Sequence, residues 1–237
     1  MITIQKIGKL LMMFLIVAGM ASCNDDETEP FTAYGEVLTI KKLVNDTVHY
    51  ARAYYVYGNY PMSSATITLP EGGTKDLTSY ESNKQTYYEE PAAADYSKDA
   101  LEFGDFSFTV VNEGIEHTLA ETTEMGTLEI PEITEVTVTT GSGIITVKWD
   151  KVTDADNYVV RLKDDEGAIA FVGTSLSSSA VTFQIAAGTG TFAKQLVSGD
   201  TYTLELQAIQ YESTATASNY WYNIEEISIA SQNFVWE

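Results

Sequence analysis

Two imidazoles, one thiol and 34 carboxylates are the side chains this 237-residue chain could bring to catalysis. His49 lies in the aromatic stretch "DTVHYARAYYVYGNY" and His117 in the second arm of "GDFSFTVVNEGIEHTLAE". Neither belongs to a His-Glu-x-x-His pair, the spacing that sets two imidazoles on one helical face for zinc, and no Gly-x-Ser-x-Gly elbow presents a serine nucleophile. "GSG" at 141–143 and "GTGTF" at 188–192 lack the lysine of a phosphate loop and read as turns. The carboxylates are too many for any two to stand out as an acid and a base. "DADN" at 154–157 and "DDEG" at 164–167 could offer oxygens to calcium, which takes about six to eight. Neither has the spaced acids of an EF-hand, and Asp and Gly are favoured in turns. The expectation is therefore no enzyme, no resident metal and no cofactor.

Aromatic side chains are the other candidates. "YYVYGNY" at 54–60 and the Tyr87–Tyr88 pair fall in strand-like stretches, where alternation buries half of the rings. Tyr220, Trp221 and Tyr222 stand differently, as three consecutive rings in the polar loop "SNYWYN". Neighbours in an extended loop cannot share one face, so at least one ring is exposed or covers a neighbour. Flat rings flanked by Asn219 and Asn223 suit sugars, which have apolar faces and hydroxyl rims. They equally suit a protein contact, where Tyr and Trp dominate the energetics. The plain alternative is that they brace one domain on the next. These three residues are the candidate ligand-binding set.

The single cysteine, Cys23, follows a layout of its own. Lys6 and Lys9 precede an unbroken apolar run from Leu10 to Val17, and small residues come next at Ala18, Gly19, Ala21 and Ser22. That is the pattern of a secretory signal peptide. The run is too short to cross a bilayer, which takes roughly 20 residues. Met20-Ala21-Ser22-Cys23 resembles the lipobox of bacterial lipoproteins, with Met where Leu is usual. The resemblance implies cleavage before Cys23 and lipid attachment at that residue, with several acyl chains giving the lasting anchorage that one chain lacks. "NDDETE" follows directly, and Asp25, Asp26 and Glu27 resemble the surface-export signal of Bacteroidota lipoproteins. The same acids, with no apolar residue among them, also read as a solvated tether over 23–30. The implied location is the outer membrane, held by the lipid and facing the cell surface.

The charge balance narrows the partners. The whole chain carries a formal charge of −21 at pH 7, from 13 bases and 34 acids. Loss of residues 1–22 would remove two bases and no acid, giving 11 − 34 = −23. Such a chain has no basic footprint for a nucleic-acid backbone.

The elements that must carry these residues are strands. Past residue 30 there is no helical period; short alternating segments separated by turn residues recur, the mark of sandwiches or barrels. From Pro131 on, "IITVKWD" puts Ile145, Val147 and Trp149 on one face. "NYVVRLKDDEGAIAFVG" reads as a hairpin with Tyr158, Val160 and Leu162 inward and its turn at Asp164–Gly167. "AVTFQI" is a further strand, and "GDTYTLELQAI" turns Tyr202, Leu204, Leu206 and Ala208 inward. In "IEEISIASQNFVW" the parity slips between Ile229 and Phe234, which predicts a bulge or a break. Before Pro131, "GEVLTIKKL" and "DTVHYARAYYVYGNY" read as strands, "SSATITLPEGGTKDLTSY" as strand, turn and strand, and "GDFSFTVVNEGIEHTLAE" as a hairpin. That hairpin has Phe106, Phe108 and Val110 inward and its turn at Asn112–Gly114. "EEPAAADYSKDAL" is a short helix or a long loop.

Residues 131–237 resemble a fibronectin type III module through the proline before Ile133, Trp149, Tyr158 and the Tyr202-x-x-x-Leu206-x-Ala208 run. The resemblance implies that Trp149 packs on Tyr158 and that Tyr202 is a tyrosine corner. Gly104-x-Phe-x-Phe-x-Val110 resembles a late strand of bacterial immunoglobulin-like domains. The expected organisation is thus all-β, two tandem β-sandwich domains at 31–130 and 131–237, with Pro131 as the hinge. Together with the anchor, the architecture is similar to accessory lipoproteins of Bacteroidota nutrient-uptake systems. That implies a non-enzymatic surface binder of glycans. The rival reading is a structural or adhesive lipoprotein whose partner is an outer-membrane protein.

Overall fold

The computed structural model describes residues 29–236 apart from 81, 83, 100, 125, 140, 142, 217 and 220–222. The described residues form seventeen strands and no α-helix. They separate into two units. One holds residues 29–130 together with 209–228, and the other holds 131–208 together with 229–237.

The N-terminal unit opens with β1 (Ala33–Val44) and β2 (Thr47–Gly58), paired antiparallel from Ala33–Gly58 through Val44–Thr47. Asn45 and Asp46 make the two-residue turn between them, both with positive φ (50° and 60°). A mirror-image turn matches the twist of its strands, and Asn and Asp tolerate that backbone. β3 (Ser64–Thr68), β4 (Thr74–Asp76), β5 (Thr78–Ser79) and β6 (Thr86–Glu89) follow. β7 (Gly104–Asn112) and β8 (Ile115–Thr123) form the expected hairpin, closed by Glu113 and Gly114 at φ 50° and 80°. "EEPAAADYSKDAL" carries only a single 3-10 turn, Ala93–Asp95, in which the Ala92 N–H donates to Asp95 at 2.7 Å.

One sheet of this unit has the order β4-β3-β7-β8, and the other includes β1-β2-β6-β5. Between them lies a core of Val37, Tyr54, Val56, Ile67, Tyr87, Phe106, Phe108 and Val110. The inward set expected of β7 is therefore the set that is buried. Gly35 faces this core, where a Cβ would come within 2.3 Å of the Phe108 ring. Only a residue without a side chain lets β1 approach that closely.

The C-terminal unit contains β9 (Ile133–Thr139), β10 (Ile144–Trp149), β11 (Asn157–Lys163), β12 (Ile169–Gly173), β13 (Leu176–Ser177), β14 (Thr182–Ile185) and β15 (Gly190–Phe192). The last strands are β16 (Thr201–Tyr211) and β17 (Ile224–Val235). Strands β14-β10-β9 make one sheet; β15-β12-β11-β16-β17 follow one another in the other. Ile145, Val147, Tyr158, Val160, Leu162, Tyr202, Leu204, Leu206 and Ala208 are all fully or almost fully buried. Trp149 packs on Tyr158 with ring centroids 5.5 Å apart, which joins the two sheets. Phe171 and Phe183 make a second such contact at 6.4 Å. This is the sandwich that the fibronectin-like residues implied.

The two tyrosine hydroxyls in this core both face backbone. Val197 N–H donates to the Tyr202 hydroxyl at 3.0 Å, five residues upstream, as a tyrosine corner requires. Val152 N–H donates to the Tyr158 hydroxyl at 2.8 Å. The turn at Asp164–Gly167 is closed by the Gly167 N–H on the Asp164 carbonyl.

No break interrupts the last strand. β17 runs unbroken from Ile224 to Val235, although its burial is continuous over 226–230. Its first five residues belong to the N-terminal unit and the rest to the C-terminal unit. The slip between Ile229 and Phe234 lies wholly within the C-terminal unit.

Candidate functional site

The two histidines have structural neighbours. His49 Nδ1 lies 3.4 Å from the Tyr96 carbonyl, and the His117 ring packs on Phe31 at 4.6 Å. In "DDEG", Asp164 Oδ1 accepts the Ala168 N–H at 2.7 Å and Oδ2 pairs with Lys194. Burial opposes ionisation of Asp164, but the bonds from Lys194 and Ala168 win and hold its carboxyl below the usual range. Its oxygens are thus spent on the hairpin turn and on Lys194. Among the described residues no group of three or more His, Cys, Asp or Glu is arranged to hold a metal ion.

The tyrosine-rich strands divide their rings between two faces. Tyr54 and Tyr87 enter the core, and Tyr87 donates its hydroxyl to the Met62 carbonyl at 3.0 Å. Tyr55, Tyr57 and Tyr88 turn to the opposite face. Tyr55 stacks on Tyr57 at 6.0 Å and on Tyr88 at 6.3 Å, and Tyr80 meets Tyr88 edge-on at 5.9 Å. The Tyr55 hydroxyl donates to Glu90 at 2.8 Å. Alternation assigned half the rings to the core; the array formed by the other half needed the β2–β6 register, in which Tyr55 stands opposite Tyr88.

The proposed recognition residues Tyr220, Trp221 and Tyr222 lie outside the described residues, as do Cys23, Asp25, Asp26 and Glu27. The described part of the aromatic loop is its base. Asn219 Oδ1 accepts from the Thr216 N–H at 2.5 Å and from the Thr216 hydroxyl at 2.7 Å. Asn223 Nδ2 donates to the Asn219 carbonyl at 2.8 Å, and the Glu212 N–H donates to the Asn223 carbonyl at 3.0 Å. The two asparagines flanking the aromatic triple thus close their own loop.

A cluster that the sequence did not single out lies beside that base. Glu36 on β1 is only 2% exposed. Its Oε1 accepts the Ile224 N–H at 2.8 Å, and its Oε2 has no hydrogen-bond partner. Burial, then the nearby Glu212 carboxylate, pushes the Glu36 carboxyl up to about 10. Burial and Glu212 raise Glu121 on β8 to about 7, and the Glu121 carboxyl is hydrogen-bonded to that of Glu212. Glu225 is also raised, by burial and then by Glu212, Glu226 and Glu124. Glu226 is the acid of this group with a cation: Lys41 pairs with it at 2.7 Å, and its other oxygen accepts the Leu128 N–H at 3.2 Å. With 34 acids in the chain, no spacing could mark these few.

No protein-family model and no curated protein matches the chain. Solved structures do resemble it, loosely. A tetra-tandem repeat from the extending region of a large adhesion protein shares 13% identity at a TM-score of 0.27, covering 86% of this chain and 50% of that one. The BSP domain of a biofilm-associated protein shares 10% at 0.27, covering 87% and 52%. Dimeric latent PorU from Porphyromonas gingivalis shares 13% at 0.27, covering 86% of this chain and 20% of that one. The chain thus spans about half the length of the first two.

Proposed function

We propose that this chain is a lipid-anchored, non-enzymatic cell-surface protein that uses its β-sandwich units to hold another surface protein, in an adhesive or structural role. The observation that carries the reading is the head of the sequence: two lysines, an apolar run over 10–17, then Cys23 followed at once by Asp25, Asp26 and Glu27. Cys23 would take the lipid, and the acids would direct the chain outward. A protein partner is favoured over a sugar by the loop base. The carboxamide oxygen of Asn219 and the amide nitrogen of Asn223 are already engaged within the loop, where a sugar hydroxyl would need them.

A glycan, bound as an accessory part of an outer-membrane nutrient-uptake system, is the second reading. It is favoured by the three consecutive rings Tyr220, Trp221 and Tyr222. The test compares the parent with Cys23→Ala, with an Asp25, Asp26, Glu27 triple alanine variant and with Trp221→Ala. Cys23→Ala should lose incorporation of a fatty-acid probe, and the triple variant should resist protease added to intact cells. Trp221→Ala should reduce capture of an outer-membrane protein with an unchanged melting temperature. Continued lipid labelling of Cys23→Ala defeats the anchor. Binding of free oligosaccharide that is lost in Trp221→Ala moves the assignment to the second reading.

A further inference from the structure

We propose that Glu36, Glu121 and Glu212 form a proton-dependent clasp that fastens residues 209–228 to strands β1 and β8 of the N-terminal unit and loosens as the medium passes from mildly acidic to alkaline. The geometry brings together three segments remote in sequence. Glu36 reaches from β1 to the Ile224 N–H, the first donor of β17. Glu121 reaches from β8 to the carboxyl of Glu212, one residue past the end of β16. Two carboxyl groups can hydrogen-bond each other only while a proton lies between them. The second oxygen of Glu36 is buried with no partner, so an ion there would have one donor and no counter-charge.

The groups around the clasp favour that proton. Glu212 faces both Glu36 and Glu121, and its Oε2 also accepts from the Thr214 hydroxyl at 3.1 Å. Glu225 on β17 and Glu124 beyond β8 add like charge. Backbone N–H groups of Ile224 and Thr122 oppose it, donating to Glu36 and Glu121 respectively. On β1 the base of this region, Lys41, is held by Glu226.

The direction of the response follows from linkage. Both acids are raised in the folded protein above the ordinary value of 4.5, Glu121 to about 7 and Glu36 to about 10. The folded form therefore holds protons that the opened form releases. The clasp is at full strength below about pH 4.5 and is lost as pH rises through the folded values. Glu121 yields first, and its bond to Glu212 becomes repulsion between two carboxylates. Glu36 stays neutral until much more alkaline conditions.

Hydrogen exchange followed by mass spectrometry on the full chain tests this. Peptides covering 209–216 and β1 are compared at about pH 5.5 and about pH 8.5, after correction for intrinsic exchange. Their opening equilibrium should rise by up to about a hundredfold per pH unit below the Glu121 midpoint, where opening releases a proton from each acid, and by up to about tenfold per unit above it, where Glu36 alone still holds one. β10 and β11 should show no such change. Glu121→Gln keeps a neutral donor toward Glu212 and should reduce the slope below the Glu121 midpoint to that of Glu36 alone. Glu36→Gln should leave only the Glu121 part of the response, up to about tenfold per pH unit and levelling off above about 7. Equal protection of the parent at both values, or a parental response in Glu121→Gln, overturns the clasp. If Glu121→Gln does not fold, a carbon-13 titration of the parent's Glu121 carboxyl decides. A midpoint near 7 supports the clasp, and one in the ordinary range of about 4–5 overturns it.

Discussion

Tyr158 and Tyr202 carry the same chemistry in different surroundings. Each hydroxyl accepts one backbone N–H, at 2.8 Å from Val152 and 3.0 Å from Val197. Val152 is buried at 5% exposure, while Val197 is 54% exposed. Water can replace the lost acceptor at Val197 but not at Val152. Tyr158→Phe should therefore cost about 1–3 kcal/mol, the cost of an unsatisfied buried donor, and Tyr202→Phe about 0.5–1.5 kcal/mol. Urea denaturation of the two variants measures the order; a larger loss for Tyr202→Phe would mean that solvent access is not what separates them. Trp149 is a different case, because its indole N–H is buried without a partner. Its contribution is packing on Tyr158. Trp149→Ala should cost about 3–5 kcal/mol. Trp149→Phe should cost clearly less, since it keeps a ring and removes an unpaired donor. A Trp149→Ala protein with the parental urea midpoint would place the core elsewhere.

Among the elements, β1 carries a close fit. Its Gly35 meets the ring of Phe108, itself fully buried in β7, from the opposite sheet. Gly35→Ala would gain helix- and strand-neutral backbone restraint yet force the ring or the strand to move. Overpacking of this kind costs about 1–3 kcal/mol, and the urea midpoint should fall accordingly. The hairpins on either side of this fit are set locally. Asn45-Asp46 and Glu113-Gly114 are two-residue turns with positive φ, and each fixes the register of its pair. β17 is the contrary case, a strand divided between the two units.

At the scale of the molecule, stability should depend on pH with opposite signs in the two units. In the N-terminal unit the folded pKa values of Glu121 and Glu36 are raised, to about 7 and about 10. Their contribution is complete below about pH 4.5 and declines as pH rises through those values. In the C-terminal unit Asp164 is depressed; despite its burial, the bonds from Lys194 and Ala168 prevail. Its contribution is present above its ordinary value of 3.8 and is lost as pH falls through the folded value. The formal charge of −21 adds self-repulsion that also eases toward acid. Urea midpoints should therefore be highest near about pH 5 and lower at about pH 8. A midpoint that climbs from 5 to 8 would contradict the raised carboxyls.

The sequence by itself determined the strands and most of their inward faces. Period-2 alternation and turn residues are local, so Ile145, Val147 and Trp149, or Phe106, Phe108 and Val110, could be placed without knowing their partners. It also carried the candidate anchor, Cys23 with its flanking acids, in a contiguous motif. Tertiary structure decided what depends on remote pairing. Residues 209–228 join the unit formed by 29–130, nearly 80 positions away in the chain. No local pattern encodes that return, because a strand edge offers the same N–H and C=O groups to any partner. The carboxyl cluster was hidden for a related reason. Glu36 reads like the other acids of an acidic chain, and only burial beside Glu121 and Glu212 makes it one that holds its proton.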